Sequence, residues 1–325
     1  MAAIFALIQH KNGKADDTVA ELCMAARKID ASAAVTAIVM GKASDCDAVA
    51  AEAAKYYASV WKVASDAVAY PNAEVLRPML VKLIPAGSIV LAAFNPFGMD
   101  LCPGLSVKMN AAYCADVVGI EAVDGGKLIV NRQEYAGQVY AKMSVDLSGG
   151  AVLTVRPGVF AAEDVPQVSG AVADKTADAG AAPSAKRRFL KVVEAEVGDV
   201  DITKSDVLVS VGRGIESQEN LEIAFELAKT MGADVSCSRP IVDAKWLEKS
   251  RQVGTSGQTV KPKVYMAMGI SGAFQHLGGL KGNPFIVAVN KNAKAPIFQV
   301  AEVGIVGDIL EIMPILTEKI AEMKG

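Results

Sequence analysis

The chain has 325 residues, a length that suggests two domains, and its 33 basic and 36 acidic side chains leave a formal net charge of −3, without the positive footprint that nucleic acid binding requires. Hydrophobic residues make up 52% and charged residues 21%, which excludes a disordered chain, and no apolar run approaches the roughly 20 residues that span a bilayer, so no transmembrane segment is expected. Aromatics are 6%, and the apolar weight falls on Ala, Val, Ile and Leu, the usage of helices packed on buried parallel strands, so the expected fold class is α/β.

Ile4–Ile8 reads as a first strand. The apolar start carries neither the basic leader nor the small-residue cleavage site of a signal peptide, which points to a cytoplasmic protein. A helix around Thr18–Lys28, a strand at Ala34–Met40, a helix at Asp47–Tyr57, a strand at Val60–Val63, a helix over Ala73–Leu83 and a strand at Ser88–Ala93 follow. This is the spacing of parallel βαβ crossovers. From Val117 to Val155 short alternating runs, Leu128–Val130 and Ala151–Val155, are divided by Asp124-Gly125-Gly126 and Ser148-Gly149-Gly150, turn signals that suggest hairpin-like strands added to the sheet. Between Ala161 and Arg188 the periodicity collapses into Ala, Asp, Gly, Pro and Lys, the composition of a mobile loop or linker. Phe189–Val197 reads as a strand closing a first domain of residues 1–197. A second domain, 198–325, opens with a strand at Ser205–Ser210 and a helix that Ser217 can cap, with Leu221, Ala224, Phe225, Ala228 and Met231 on one face and Gly232 at its end. Strands at Val264–Met268, Phe285–Asn290 and Gly304–Val306 follow, then a last helix from about Asp308 with an interruption at Pro314.

Polar residues gather after the apolar strands of the second domain, where open α/β sheets bind ligands. Gly212-Arg213-Gly214 suits close backbone approach to a phosphate, although Ser217 stands where the dinucleotide fingerprint has its third glycine; a plain strand-to-helix turn is the equal alternative. Arg239 lies before Pro240, which stops the sheet and turns the guanidinium toward its crest, the other reading being a surface ion pair. Gln252–Gly257 is a glycine-bounded loop of amide and hydroxyl donors, or else a tight loop with no ligand. Gly269–His276 follows an apolar strand and opens a helix. Ser271 can cap it, Gly269 and Gly272 permit close approach, and the free N–H groups with the helix dipole form an anion site. His276, one of two histidines, falls in its first turns on the ligand side, though a lone histidine is more often structural. A serine hydrolase is excluded, since Ser271 lacks the GxSxG setting and an acidic partner. The five cysteines show no paired spacing, so no metal or cluster site is expected and they read as buried thiols.

From Val207 to Pro314 the order SVGRG, SRPIVD, QVGTSGQTV, YMAMGISGAFQHLGG, VAVNKN and APIFQVAEVGIVGD resembles the C-terminal FAD domain of the α subunits of electron transfer flavoproteins, the ETF/Fix family. The run Val152–Gly158 is similar to that family's strand before its variable loop. The resemblance implies two α/β domains, the C-terminal one a Rossmann-like FAD-binding domain with one FAD. It implies a heterodimer with a β subunit that carries AMP or a second FAD. Electrons would pass from a dehydrogenase, such as an acyl-CoA dehydrogenase, or from NADH to a quinone or other partner oxidoreductase, with no group transfer by this chain.

Carried over residue by residue, the resemblance places the cofactor against Gly212, Arg213 and Gly214, against Ser238 and Arg239, and against the loop of Gln252, Val253, Gly254, Thr255 and Ser256. It adds the segment Gly269, Ile270, Ser271, Gly272, Ala273, Phe274, Gln275 and His276, then Asn290, and Asp308 with Ile309. In these roles the amides at Ser271–Ala273 suit the pyrophosphate, Arg239 the isoalloxazine face and His276 its C2 carbonyl. Thr255-Ser256 stands where many relatives have Gln-Thr or Gln-Ser, which leaves the contacts of Thr255 open, and Val211 stands where glycine is common. Both simple single-FAD carriers and flavin-bifurcating types exist in the family; Ser238–Asp243 and Ser256 look more like the second, and the deciding features are expected in the β subunit. Among other classes, an NAD-linked oxidoreductase subunit would need GxGxxG followed by an acidic residue about 20 positions on, which is missing. An interaction subunit that had lost its cofactor would be expected to lack Arg239, Ser271 or His276, and all are present.

Overall fold

Strands buried on both faces need continuous apolar runs, and Ile4–Ile8, Ile89–Ala93 and Ala151–Val155 supply five buried residues each. They form the centre of a sheet in the computed structural model, which describes residues 2–135, 139–160, 165–192 and 200–324. The chain divides into two compact units, Met1–Lys191 and Val192–Gly325.

In chain order the first unit contains β1 (Ile4–Ile8), the small antiparallel pair β2 (His10–Lys11) and β3 (Lys14–Ala15), α1 (Thr18–Ile29), β4 (Val35–Gly41), α2 (Ala43–Ala53), β5 (Ser59–Ala64), α3 (Ala73–Leu83) and β6 (Ile89–Ala93). It continues with α4 (Pro96–Met109), β7 (Ala112–Asp124), β8 (Lys127–Glu134), β9 (Val139–Asp146), β10 (Ala151–Val155), β11 (Ala171–Asp174) and α5 (Thr176–Ala179). The main sheet has the order β11-β5-β4-β1-β6-β10-β7-β8-β9, parallel as far as β7 and antiparallel from there. Leu22 of α1 and Val49 of α2 pack on one face; Leu76 and Leu80 of α3 and Leu105 of α4 pack on the other.

Several expectations need correction. α4 stands where no helix was expected, because Gly98, Pro103 and Gly104 weaken its propensity; Asn95 starts it, accepting from the Gly98 amide at 2.9 Å, with Pro96 in the first turn. α2 starts at Ala43 rather than Asp47. Asp124-Gly125-Gly126 does turn a hairpin, with Gly125 and Gly126 at φ 54° and 77°, but Ser148-Gly149-Gly150 does not: β10 crosses over and lies parallel between β6 and β7. The Ala/Asp/Pro-rich stretch is not a structureless loop. β11 pairs with the β5 edge, the Gly170 amide donates to the Ala54 carbonyl at 2.8 Å, and Thr176 Oγ1 accepts from the Ala64 amide at 2.9 Å. Composition hides this because the docking is made by backbone groups. Residues 161–164 of that stretch lie outside the described residues. Phe189–Val192 forms no strand, and 193–197 of that expected strand also lie outside the described residues.

The second unit contains β12 (Val207–Val211), α6 (Leu221–Met231), β13 (Asp234–Cys237), α7 (Arg239–Asp243), β14 (Val264–Met268), α8 (Phe274–Leu277), β15 (Phe285–Asn290), β16 (Val303–Val306) and α9 (Ile309–Lys324). Its sheet is wholly parallel with the order β13-β12-β14-β15-β16. From β12 the chain moves first to one side and then, from β14, to the other, so the switch point lies between β12 and β14. α6 and α9 cover one face. Val253, Val260, Ile270 and Ile297 from loops close over the other. Ser217 does not cap α6; Asn220 holds that position, its Nδ2 donating to the Ile215 carbonyl at 2.9 Å. Phe225 points away from the buried face. Gly232 ends the helix at φ 72°, as its residue type suggests. Pro314 lies inside α9 without breaking it. Among the described residues no helix is long and apolar enough to cross a membrane.

Asn95 also exchanges side-chain hydrogen bonds with Gln9, at 2.9 and 3.3 Å, joining the carboxyl ends of β1 and β6. Asn95→Ala is expected to lower the unfolding free energy by about 1 kcal/mol, while Asn95→Asp, which keeps the cap acceptor, costs less; urea titrations of the three proteins measure it.

Candidate functional site

All five strands of the second unit end at the same edge, and a cleft of about 570 Å³ opens there, a size suited to a cofactor. Arg213 and Gly214 enter after β12, Ser238 to Pro240 after β13, Gly269 to His276 after β14, Asn290 and Lys291 after β15, and Gly307 to Ile309 after β16. The loop Gln252–Ser256 supplies another wall.

Glycines build the floor. A Cβ on Gly212 would lie 2.3 Å from the Gly269 carbonyl oxygen, and one on Gly214 would lie 2.8 Å from the Gly269 Cα, while Gly269 itself sits at φ 67°. The Gly-x-Gly spacing therefore serves contact between two crest loops, in addition to the two readings the sequence left open, phosphate approach and a plain turn. Gly254 (φ 142°) approaches the Gln275 carbonyl in the same way, and the neighbouring Thr255 amide donates to that carbonyl at 2.7 Å. Gly272 (φ 82°) docks against the backbone of Ile297.

Of the residues anticipated, Gly212, Gly272 and Phe274 do not line the cleft: the glycines pack on neighbouring backbone and Phe274 is exposed beside it. The other eighteen, from Arg213 to Ile309, converge on it. The expected helix start is also different. α8 is one turn long, Ala273 occupies its N-cap position, and Ser271 is an exposed residue of the approach loop whose carbonyl accepts from the Ile297 amide at 3.1 Å. So short an element gives little dipole, and Ser271 is not a cap. Arg239, expected at a strand end, opens α7, its exposed guanidinium 3.3 Å from Asp243.

Three lining residues were missed: Pro240, Lys291 and Gly307. Lys291 could have been found as a cation immediately after a strand. Its Nζ lies 2.7 Å from Glu216 and 3.0 Å from Asp308. Those hydrogen bonds raise the Lys291 pKa and, with the Leu310 amide, hold Asp308 below the usual carboxylate range. Gln252, buried, donates from Nε2 to Ser256 Oγ at 2.9 Å. Asn290 donates to the Ile270 carbonyl at 2.9 Å, tying β15 to the approach loop.

His276 is buried, its Nε2 2.7 Å from Tyr265 Oη, and its Nδ1 has no hydrogen-bond partner. Burial lowers its pKa to about 4, with the Val253 backbone acting weakly the other way. Cations at the rim, a buried histidine in the lining and a switch-point crevice fit a dinucleotide cofactor. Among the described residues no group of three His, Cys, Asp or Glu could hold a metal ion.

Residues 4–187 match the electron transfer flavoprotein domain and residues 201–281 the electron transfer flavoprotein FAD-binding domain. The chain is similar over 327 residues, at 34% identity, to the electron transfer flavoprotein subunit alpha of Syntrophomonas wolfei, covering 98% of this chain and 99% of that one. The corresponding subunit of Mycobacterium tuberculosis is also 34% identical over 327 residues, the full length of both chains. The lactate dehydrogenase (NAD(+),ferredoxin) subunit LctC of Acetobacterium woodii is 35% identical over 245 residues, 75% of this chain and 58% of that one. Fold, site and matches together define a flavin-binding electron-transfer protein. The chain belongs to the electron transfer flavoprotein α-subunit family.

His276 links the site to pH. Its pKa falls from 6.5 to about 4 on folding, so the unfolded chain takes up the proton first. The stability that this shift contributes is complete above about pH 6.5 and is lost as pH falls through about 4. Denaturant unfolding of flavin-free protein across that range should show this slope, and His276→Gln should flatten it.

Proposed function

We propose that this chain is the FAD-holding subunit of a heterodimeric electron carrier, in which a β subunit completes the assembly. The observation that carries the reading is the convergence of all five strand ends on one cleft lined by Arg213, Arg239 and His276. An FAD held there would supply the redox chemistry, two-electron and one-electron exchange.

The chain's own residues bind, orient and shield. Arg213 and the backbone of Ser271–Ala273 suit the pyrophosphate, and Asp308, fixed by Lys291, suits a ribose hydroxyl. Arg239 at the cleft mouth would place a fixed positive charge near a bound ring, favouring its electron-rich form. His276 and the Gln252–Ser256 pair offer hydrogen bonds to the ring's polar edge. In the cell, we place the carrier in the cytoplasm between a dehydrogenase, or NADH, and a quinone or other oxidoreductase.

Two working modes follow from what the β subunit holds. With AMP there, the assembly is a single-FAD carrier; with a second FAD, it splits electron pairs from NADH between two acceptors. The resemblance of Ser238–Asp243 and Ser256 to the bifurcating type favours the second mode; Gln252 holds the Ser256 hydroxyl in the cleft wall.

Production with the β subunit in flavin-replete cells tests the proposal. One FAD per α chain is expected, and a colourless complex that cannot be reconstituted with FAD overturns it. Counting a second FAD and titrating with NADH separates the two modes. Arg239→Met should lower the two-electron potential by roughly 20–30 mV, the equivalent of about 1 kcal/mol for a pair of electrons; spectroelectrochemical titration reads it, and an unchanged potential removes Arg239 from the ring.

A further inference from the structure

The turn after β12 is strained beside the cleft. Glu216 follows Arg213–Ile215 at φ 68° and ψ −42°, and the Ser217 amide donates across it to the Ile215 carbonyl at 2.8 Å. This is a γ-turn of positive φ, a rare and strained conformation for a residue with a side chain. Two contacts hold it there. Ile215 is fully buried, and its carbonyl also accepts from Asn220 Nδ2 at 2.9 Å. A glycine would adopt this φ without strain, as the chain's own glycines do at Gly254, Gly269 and Gly272. At position 216 the chain carries a carboxylate instead.

The carboxylate reaches across the crest. Lys291 Nζ donates to Glu216 Oε1 at 2.7 Å and lies 3.0 Å from Asp308 Oδ2. Glu216 follows β12, Lys291 follows β15 and Asp308 follows β16, so the two ion pairs join loops that flank the β14 loop on both sides in the sheet order. Asp308 is thereby held at both oxygens, since the Leu310 amide donates to its Oδ1 at 3.0 Å. An ionised carboxylate has about four lone-pair sites, which leaves acceptors over for a ligand hydroxyl. Lys291 and Asp308 line the cleft, whereas Glu216 stands behind them. A gain in stability does not explain Glu216: its carboxylate and the Lys291 ammonium are both about half exposed, pairs of that kind contribute little, and the strain works against them.

We propose that Glu216 is a positioning residue: from its strained turn it fixes Lys291 and, through Lys291, the Asp308 carboxylate, so that three crest loops are clasped together and the cleft retains its cofactor. The cofactor part rests on the proposed function; the clasp of the three loops does not. One ammonium between two carboxylates also leaves this corner with a net negative charge, which presents acceptors to the hydroxyls of a sugar.

Glu216→Gly separates positioning from structure, because it removes the carboxylate and relieves the turn at once. The full chain with its β subunit is the sample. FAD release, followed by flavin fluorescence after dilution, is expected to be about threefold faster in Glu216→Gly, while the thermal midpoint of the flavin-free complex stays the same or rises. A lowered midpoint accompanying the faster release would make Glu216 a structural residue and overturn the proposal, as would unchanged release. Lys291→Met should speed release at least as much, and adding Glu216→Gly to it should change nothing further; additive effects would show that Glu216 does not act through Lys291. Amide hydrogen exchange of the flavin-free complex reads the clasp without the cofactor. Exchange at residues 307–310 should be about threefold faster in Glu216→Gly, and equal exchange overturns the clasp. A complex that binds no FAD while residues 307–310 respond in this way would reject the flavin reading and leave the clasp standing.

Discussion

A parallel sheet delivers its loops to one edge, and the second unit depends on how two of those loops meet. β12 and β14 are neighbours, yet the chain leaves them in opposite directions, so a crevice forms above the pair. Its floor has no room for side chains: Gly212 and Gly214 lie against Gly269 at distances where any Cβ would collide with backbone. The remaining walls hang from that contact. Arg213 is held between two fixed glycines, Ile270 is tied by its carbonyl to Asn290, and Gly272 is pressed onto Ile297. A crest assembled from backbone contacts is stiff, which is what positioning a large cofactor requires.

Charge is divided by depth. The buried wall is neutral: His276 loses its proton to burial, and the Tyr265 phenol is held far above its usual pKa by the same desolvation. The rim is ionic, and two of its cations already have partners, Arg239 with Asp243 and Lys291 with Glu216 and Asp308. Exposed pairs of this kind contribute little to stability. Exchanging a carboxylate for a ligand phosphate therefore costs little, while the neutral wall keeps its hydrogen-bonding pattern.

The first unit answers a different constraint, the protection of sheet edges. β10 crosses into the middle of its sheet, and the following segment returns to lay β11 along β5. Gly170 permits this return because it passes within 2 Å, measured to a hypothetical Cβ, of the Tyr57 carbonyl (1.9 Å). At the opposite edge β9 carries Lys142 paired with Glu121, charge of the kind that discourages edge pairing.

Where side-chain chemistry and periodicity decide, the sequence by itself determined the outcome: the apolar runs of β1, β6, β12 and β14, the helix Ala73–Leu83, the hairpin at Gly125-Gly126 and most of the strand-end residues that line the cleft were legible in it. Where backbone meets backbone, only the tertiary structure decided. The docking of β11, the parallel insertion of β10 and the mutual packing of Gly212, Gly214 and Gly269 leave no periodic trace, because a glycine or an alanine reads the same whether it turns, pairs or approaches a neighbour. The same holds for Tyr265 and Ser210. In the sequence they are one aromatic and one small residue within apolar strands; the parallel register sets Tyr265 opposite Leu208, two positions from Ser210, and from there its buried hydroxyl finds its hydrogen bonds with Ser210 and His276.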